Sequence, residues 1–547
     1  MATIEDCDPA CAQPVPDLSA TASVVAGLLS HLDVVTQRDG CVKLRLIAQG
    51  SVTCAQAVAD AGGAAAVVAA LQAYPDVVGV QEDGCYALAS IAKGSAVCTR
   101  AVADAGGAAV VVAAVRRHPG EVGVQSYGCA ALAGIALGGA ACAQAVAVAG
   151  GAAVAVAALQ AHLGDVVVQR SGCLVLKGIA KGGAECAQAV ADAGGAAAVV
   201  AVLQAHSGHV GVQVNGCGAL FSIAQGGAAC VQAVADAGGA AAVVAALRRY
   251  PGDVDVQSYG CGALAGIAQG GAACAQAVAD AGGVAAVVAA LWRYPGEVGV
   301  QSYGCAALAG IAEGGAACAQ AVADAGGVAA VVAALWRYPG EVGVQSYGCT
   351  ALWRIALGGA ACAQVLADAG GVAAVVAALR RYPGEVSVQS YGCAALSGIV
   401  EGGAACAQVL ADAGGVAAVV AALWRHPGDV GVQEFGCTAL WRIALGGAAY
   451  AQAVADAGGA AAVVATLRRY PGDVDVQRFG CAALSGIAQG GAACVKAVAE
   501  AGGQAAASAA ALAHPIDGSI RKYTKRLADV YASLSSAADA AMEALLL

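Results

Sequence analysis

This 547-residue chain has little charge: Asp, Glu, Lys and Arg are 12% of it, against 59% hydrophobic residues. That balance excludes intrinsic disorder, which needs few apolar groups and much charge. Basic residues are also scarce, 27 against 37 acidic, giving a formal net charge of -10. An acidic chain lacks the Lys and Arg that neutralise phosphates, which argues against sequence-independent nucleic-acid binding. Aromatics are only 4%, and much of the hydrophobic class is alanine and valine. Mean hydropathy is +0.71, and 122–164 carry no charge. A spanning helix needs ~20 consecutive apolar residues. Here Gly-Gly or Gln interrupts the runs, so no membrane span is expected. The N-terminal residues contain acids and prolines but no apolar core of a secretory signal.

Catalytic and metal signatures are missing too. There is no Gly-x4-Gly-Lys phosphate loop, no Gly-x-Ser-x-Gly elbow and no Cys-x2-Cys pair. The seven histidines form no ladder suited to a metal. Recurrent aspartates such as Asp60, Asp104, Asp192 and Asp236 come singly, whereas acid-base catalysis needs two carboxyls in one site. The expectation is no enzyme, no cofactor and no metal.

What is present is repetition. Gly-Cys recurs at Gly40, Gly84, Gly128, Gly172, Gly216, Gly260, Gly304, Gly348, Gly392, Gly436 and Gly480, always at an interval of 44, and 270–305 are identical to 314–349. Self-similarity at this period predicts a solenoid in which each unit buries its apolar face against its neighbours. In one unit, Val300, Gly304, Leu308 and Ile311 share a helical face, and Gly314-Gly315 ends that helix. Ala316 to Asp324 reads as a short helix and Val328 to Tyr338 as a longer one stopped by Pro339-Gly340. Asp324 is expected to cap the helix after it.

The run Gln-Ala-Val-Ala-Asp-Ala-Gly-Gly-x-Ala-Ala-Val-Val-Ala-Ala-Leu, followed by Val-Gln-x-x-Gly-Cys-x-Ala-Leu-x-x-Ile-Ala, resembles the armadillo repeat. Its style is that of arrays found in algae and other protists, and it covers residues from about 20 to 515. HEAT repeats, with two helices per unit, are the nearest competitor. The resemblance implies an all-α, right-handed α-solenoid of about eleven three-helix repeats with caps at both ends. The expected division is a poorly ordered arm at 1–18, a solenoid at 19–515 and a capping helix at 516–547. Val24 to Leu32 reads as a degraded helix capping the stack. The period appears lost after Pro515, where an amphipathic helix presents Ile520, Leu527, Val530, Leu534, Ala541 and Leu545. Its Arg521, Lys522, Lys525 and Arg526 read as a solvated face or a basic docking patch.

The 23 cysteines fall into two ladders, thirteen residues apart, plus Cys7 and Cys11. Equivalent residues ~10 Å apart are too distant for a disulfide. A pair joining the two ladders inside one unit stays open. The simpler reading is buried thiols in a reducing compartment, cytoplasmic, with nuclear or ciliary sites open. Cys7-x3-Cys11 remains a metal or thiol candidate.

The repeats also align with one another. Positions one before the Gly and two, five, six and nine after it vary most and share a face. Fixed positions should be packing, and free ones solvent or ligand. In armadillo proteins this face lines a concave groove carrying Trp and Asn, the Asn holding an extended peptide. Here the Asn-equivalent positions hold Gly310, Arg354, Gly398 and Arg442 among others, so recognition of basic peptides by that ladder is in doubt. Instead, Tyr127, Tyr259, Tyr303, Tyr347, Tyr391, Phe435 and Phe479 form an aromatic stripe interrupted by Trp353-Arg354 and Trp441-Arg442. Tyr, Trp and Arg are enriched in interface hot spots, and surrounding Gly and Ala would leave shallow pockets. The tyrosines either bind or shield the next repeat. The arginines, intolerable unpaired in a core, are read as facing a partner.

A second variable row precedes Pro-Gly: Arg248-Arg249, Trp292-Arg293, Trp336-Arg337, Arg380-Arg381, Trp424-Arg425 and Arg468-Arg469. It reads as helix-end charge or as an arginine edge for tubulin tails, anionic lipid or nucleic acid. The favoured function is a monomeric scaffold with a protein partner, an extended segment or helix, in the groove. A helical-repeat cofactor lyase is the most distant alternative.

Overall fold

A computed structural model describes the backbone of residues 18–30 and 33–546 and the side chains of 21–30 and 33–533. Cys7, Cys11 and nearly all of the 1–18 arm lie outside the described residues, as do the side chains of Leu534, Ala541 and Leu545. The described chain is all-helical, 81% helix without strands, and is an α-solenoid. It divides into two compact units, 1–270 and 271–547.

Each repeat has three helices. In the second unit one repeat comprises the Gly-Cys helix Val298–Ala312, the short helix Ala316–Asp324 and the Ala-Val helix Gly327–Arg337. Within a unit, each Gly-Cys helix packs on the next Gly-Cys helix, and each Ala-Val helix on the next Ala-Val helix. Val300, Cys305, Leu308, Ile311 and Val331 are completely buried. Burying each Leu or Ile side chain contributes roughly 1.5–3 kcal/mol. The Gly of Gly-Cys is where the Ala-Val helix crosses closest: a Cβ at Gly304 would lie 2.6 Å from Leu291 Cδ2.

The breaks are glycine conformations. Gly315, at φ +116° and ψ -178°, starts the short helix in a region only glycine enters freely. Gly326, at φ +78°, starts the Ala-Val helix, and the chain bends by 70° between the two. Asp324 does not cap that helix, contrary to the expectation. Gln320 Nε2 donates to its Oδ1 at 2.7 Å, because Asp324 is the last residue of the short helix and the turn belongs to Gly326.

One polar group is buried at the same place in all eleven repeats. Gln345 Nε2 donates to Leu335 O at 2.8 Å and to Tyr338 O at 3.0 Å. These carbonyls end the preceding Ala-Val helix and have no partner within it. Gln81, Gln125, Gln169, Gln213, Gln257, Gln301, Gln389, Gln433 and Gln477 do the same, and Gln37 reaches Leu28 O.

Both ends follow this plan. Leu18–Ser30 supplies an opening Ala-Val helix, with Val25 and Leu28 buried. The period does not stop at Pro515, contrary to the expectation. Asp517 caps the final helix from the register position of Asp473, and Tyr523 stands 44 residues after Phe479. The final helix, Gly518–Leu546, packs on the last Gly-Cys helix, with Ile520 and Leu527 fully buried. Arg521, Lys522, Lys525 and Arg526 are exposed on it.

No described single helix is long and apolar enough to cross a membrane; nine bent pairs reach the length and composition only across breaks of 68–72°.

Replacing Gln345 by Leu leaves the buried Leu335 carbonyl without its donor, while Tyr338 O keeps the Glu341 N–H at 3.2 Å. The expected loss is about 1–3 kcal/mol, read as a lower urea midpoint with unchanged helix content. The thiols of Cys129, Cys173, Cys217, Cys261, Cys349, Cys393 and Cys437 are pushed by burial up to about 12 from 9.0. A raised folded value means the contribution is intact below pH ~9 and is lost as pH climbs towards 12. Melting temperature should therefore fall over that interval, and the thiols of the two ladders should resist maleimide at neutral pH.

Candidate functional site

The Gly-Cys helices of each unit lie side by side and form one face. Tyr303, Tyr391, Phe435 and Phe479 are half-buried on it in the second unit, and Tyr347 is 40% exposed. Tyr127 and Tyr259 are half-buried in the first. The aromatic stripe is therefore a real row, brought together by strict register.

The surrounding positions are not open, which corrects the expectation of shallow pockets and solvent-facing variable sites. Ala306, Ala309, Ala394, Ser397, Thr438, Ala482 and Ser485 are all buried. The cause is a size rule that crosses repeats. Trp353, five residues after its Gly, stacks on Tyr391 at 5.7 Å and meets Phe435, two repeats on, edge-to-face at 5.2 Å. Trp441 likewise reaches Phe479 and, two repeats on, Tyr523 at 5.8 Å. In the first unit, Lys177 Nζ sits 3.8 Å from the Tyr259 ring centre, again two repeats away. Packed helices stand ~8–10 Å apart, so a flat stack would hold alternate helices ~16–20 Å apart. Rings in contact over that interval mean that the two side chains lean towards each other over the intervening helix within a unit. Small residues in the intervening repeat make room: a Cβ at Gly218 would meet Lys177 Nζ at 2.9 Å, and one at Gly262 would meet Phe221 at 3.0 Å. The glycines at the Asn-equivalent position serve the same closeness, since a Cβ at Gly398 would lie 2.6 Å from Ala356 Cβ.

Arg354 and Arg442 are not free for a partner, which corrects the reason for reading them as partner-facing. Arg354 pairs with Glu313 and Arg442 with Glu401, each carboxylate lying one repeat earlier. Arg354 also lies 4.8 Å from the Trp353 ring centre. The sequence carries this signal: glutamate stands nine after the Gly only in the repeats at Gly304 and Gly392, immediately before the two Arg repeats. The Nε atoms of Arg354 and Arg442 are buried without hydrogen-bond partners, and burial lowers the Arg442 pKa.

The Pro-Gly edge has two layers. The ring before each Pro ties repeats together: His118 Nε2 lies 2.7 Å from Pro75 O, His426 Nε2 2.7 Å from Pro383 O, and Tyr470 OH donates to Pro427 O at 3.0 Å. Those rings are latches. The residues two before them are outward: Trp292, Trp336 and Trp424 are each 53% exposed. A notch of about 390 Å³ opens between Trp292 and Trp336, floored by Ala330 and Ala333.

Among the described residues, no group of three or more His, Cys, Asp or Glu could hold a metal ion. Thiols of the second ladder hydrogen-bond to glutamines one repeat earlier, as Cys318 Sγ does to Gln276 Oε1 at 3.2 Å. Tyr450, which replaces one such cysteine, reaches Gln408 Oε1 at 3.0 Å.

Reversing Glu313 to Lys should destabilise the protein by about 0.5–1 kcal/mol. A second change, Arg354→Glu, should restore most of the loss. Added salt should shrink the effect, because the pair is partly exposed; paired thermal melts measure it.

No family model matches the chain, and no curated protein matches it. Solved structures do. An engineered protein is 33% identical, with a TM-score of 0.65, covering 77% of this chain and 98% of that one. A structure concerning a conserved phosphorylation switch that controls the interaction between cadherin and beta-catenin is 13% identical, with a TM-score of 0.67, covering 93% and 98%. At that identity the second likeness speaks for the fold alone. With the 44-residue register and the repeat-to-repeat packing, these likenesses place the chain among the α-helical-repeat solenoids, in the company of engineered repeat proteins and beta-catenin.

Proposed function

We propose that the protein is a non-enzymatic binding scaffold of armadillo type, whose partner protein lies along the Gly-Cys face of residues 271–547. The observation that carries this reading is the aromatic row at one position of successive repeats, with Tyr347 standing 40% exposed among half-buried neighbours. Aromatic side chains supply contact area at low entropic cost, and a rigid row spares the scaffold any ordering cost. The beta-catenin likeness supports a protein-binding solenoid without transferring its partner.

The armadillo assignment rests on one short and two longer helices at a period of 44. The asparagine ladder of that family is replaced by Gly and Arg, so the partner is held by rings rather than by side-chain amides on its backbone. Trp353 and Trp441 shape this surface from beneath, while Tyr303, Tyr347 and Tyr391 meet the partner. The scaffold acts as a monomer in a reducing compartment, the cytoplasm; the completely buried thiols of the Gly-Cys ladder favour that placement.

The test is capture from an extract of the source cell, with crosslinks mapped by mass spectrometry. The pair Tyr303→Ser and Tyr347→Ser should lower capture at least tenfold while leaving the melting temperature within about 2 °C, since half-exposed surface substitutions cost little. Unchanged capture, or crosslinks confined to other faces, would remove this face from the proposal.

A further inference from the structure

Arg117, Arg249, Arg293, Arg337, Arg381, Arg425 and Arg469 each stand just before the ring that precedes Pro-Gly, and they differ in their partners. In the first unit Arg117 pairs with Asp76, one repeat earlier. Both groups are on the surface. Asp76 is the exception at its register position, which is glycine in the repeats that follow in both units, from Gly120, Gly164, Gly208 and Gly252 to Gly296, Gly340, Gly384, Gly428 and Gly472. The arginine still stands there, since a Cβ at Gly428 would lie 3.7 Å from Arg469 Nη2. Arg337, Arg381 and Arg469 form no ion pair among the described residues, and Arg425 only donates Nε to Pro383 O at 3.1 Å. Four arginines elsewhere, Arg38, Arg354, Arg442 and Arg478, do meet carboxylates of the chain itself. Exposed tryptophan on this edge is confined to the second unit, at Trp292, Trp336 and Trp424, beside these arginines.

We propose that this edge docks an extended acidic peptide, whose carboxylates occupy the place that Asp76 fills in the first unit. The guanidiniums take the carboxylates as charge-assisted, bidentate pairs. The notch between Trp292 and Trp336 takes an apolar side chain between them. Spacing favours an extended strand: helices repeat at ~8–10 Å, and three extended residues span a similar length at ~3.1–3.4 Å each. The peptide therefore has acidic residues with one apolar side chain in every three. A membrane fits less well, because Glu341 and Glu385 are exposed just beyond the Pro-Gly turns and would face anionic headgroups. This edge is separate from the Gly-Cys face and does not depend on the partner proposed there.

Fluorescein-labelled peptide made of four Glu-Glu-Leu triplets is titrated with the full chain and read by anisotropy. Tighter binding than a Lys-Lys-Leu peptide of equal length is expected, weakening steeply with salt. The decisive variant places carboxylates of the chain itself at the register position of Asp76: Gly296→Asp, Gly340→Asp and Gly384→Asp together. None of these glycines has a positive φ, and a Cβ at Gly296, Gly340 or Gly384 meets open space. That variant should bind at least tenfold more weakly with an unchanged melt, as should Trp292→Ser with Trp336→Ser. Tyr347→Ser should leave peptide binding as it is. Equal affinity for both peptides, or undiminished binding by the aspartate variant, overturns the proposal. So does co-sedimentation with phosphatidylserine vesicles in place of peptide binding.

Discussion

A buried glutamine amide ties each repeat to the one before it. At the turn between the Ala-Val helix and the next Gly-Cys helix, the carbonyls of Leu335 and Tyr338 face the Gln345 side chain. Gln345 and its ten equivalents supply the donors. A helix end buried without partners costs more than most side-chain contacts return. The same two long helices also meet at the Gly of Gly-Cys, where a Cβ at Gly348 would lie 2.6 Å from Leu335 Cδ2. Every repeat then has the same shape, which allows residues 44 apart to stack in register.

Identical bricks would give a featureless surface, and here the differences are made in correlated sets. Trp353 and Trp441 need small residues in the next repeat and an aromatic ring in the one after. Arg354 and Arg442 need glutamate in the repeat before. Substitution at one position is thus coupled to positions 38 to 82 residues away. The inner face is closed where such sets occur, and its remaining exposure is concentrated at rings such as Tyr347. The large outward indoles lie elsewhere, on the Pro-Gly edge, so two distinct surfaces of the second unit carry aromatic groups.

Much of the fold was legible in residue order. The 44-residue interval, the Gly-Gly stops and the apolar face of Val300, Leu308 and Ile311 lead directly to stacked helices. The aromatic row was legible too, because register makes a repeated letter into a line in space. What escaped was any interaction between repeats. Asp324 looks like a cap until Gly326 is seen turning the chain; Arg354 looks unpaired until Glu313 is found beside it. The final helix looks irregular, yet Asp517 and Tyr523 keep the period in space.

The sequence by itself determined that this chain is a helical array with thiol ladders and one variable helical face, because periodicity and helix stops are local properties of the chain. Only the tertiary structure decided which variable residues are available to another molecule. Long side chains reach over small ones to touch alternate repeats, and that contact appears in no single repeat. It turns Trp353 into cover for Ala394 and Ser397, while Trp336 and Arg337 stay on the outer edge, facing water.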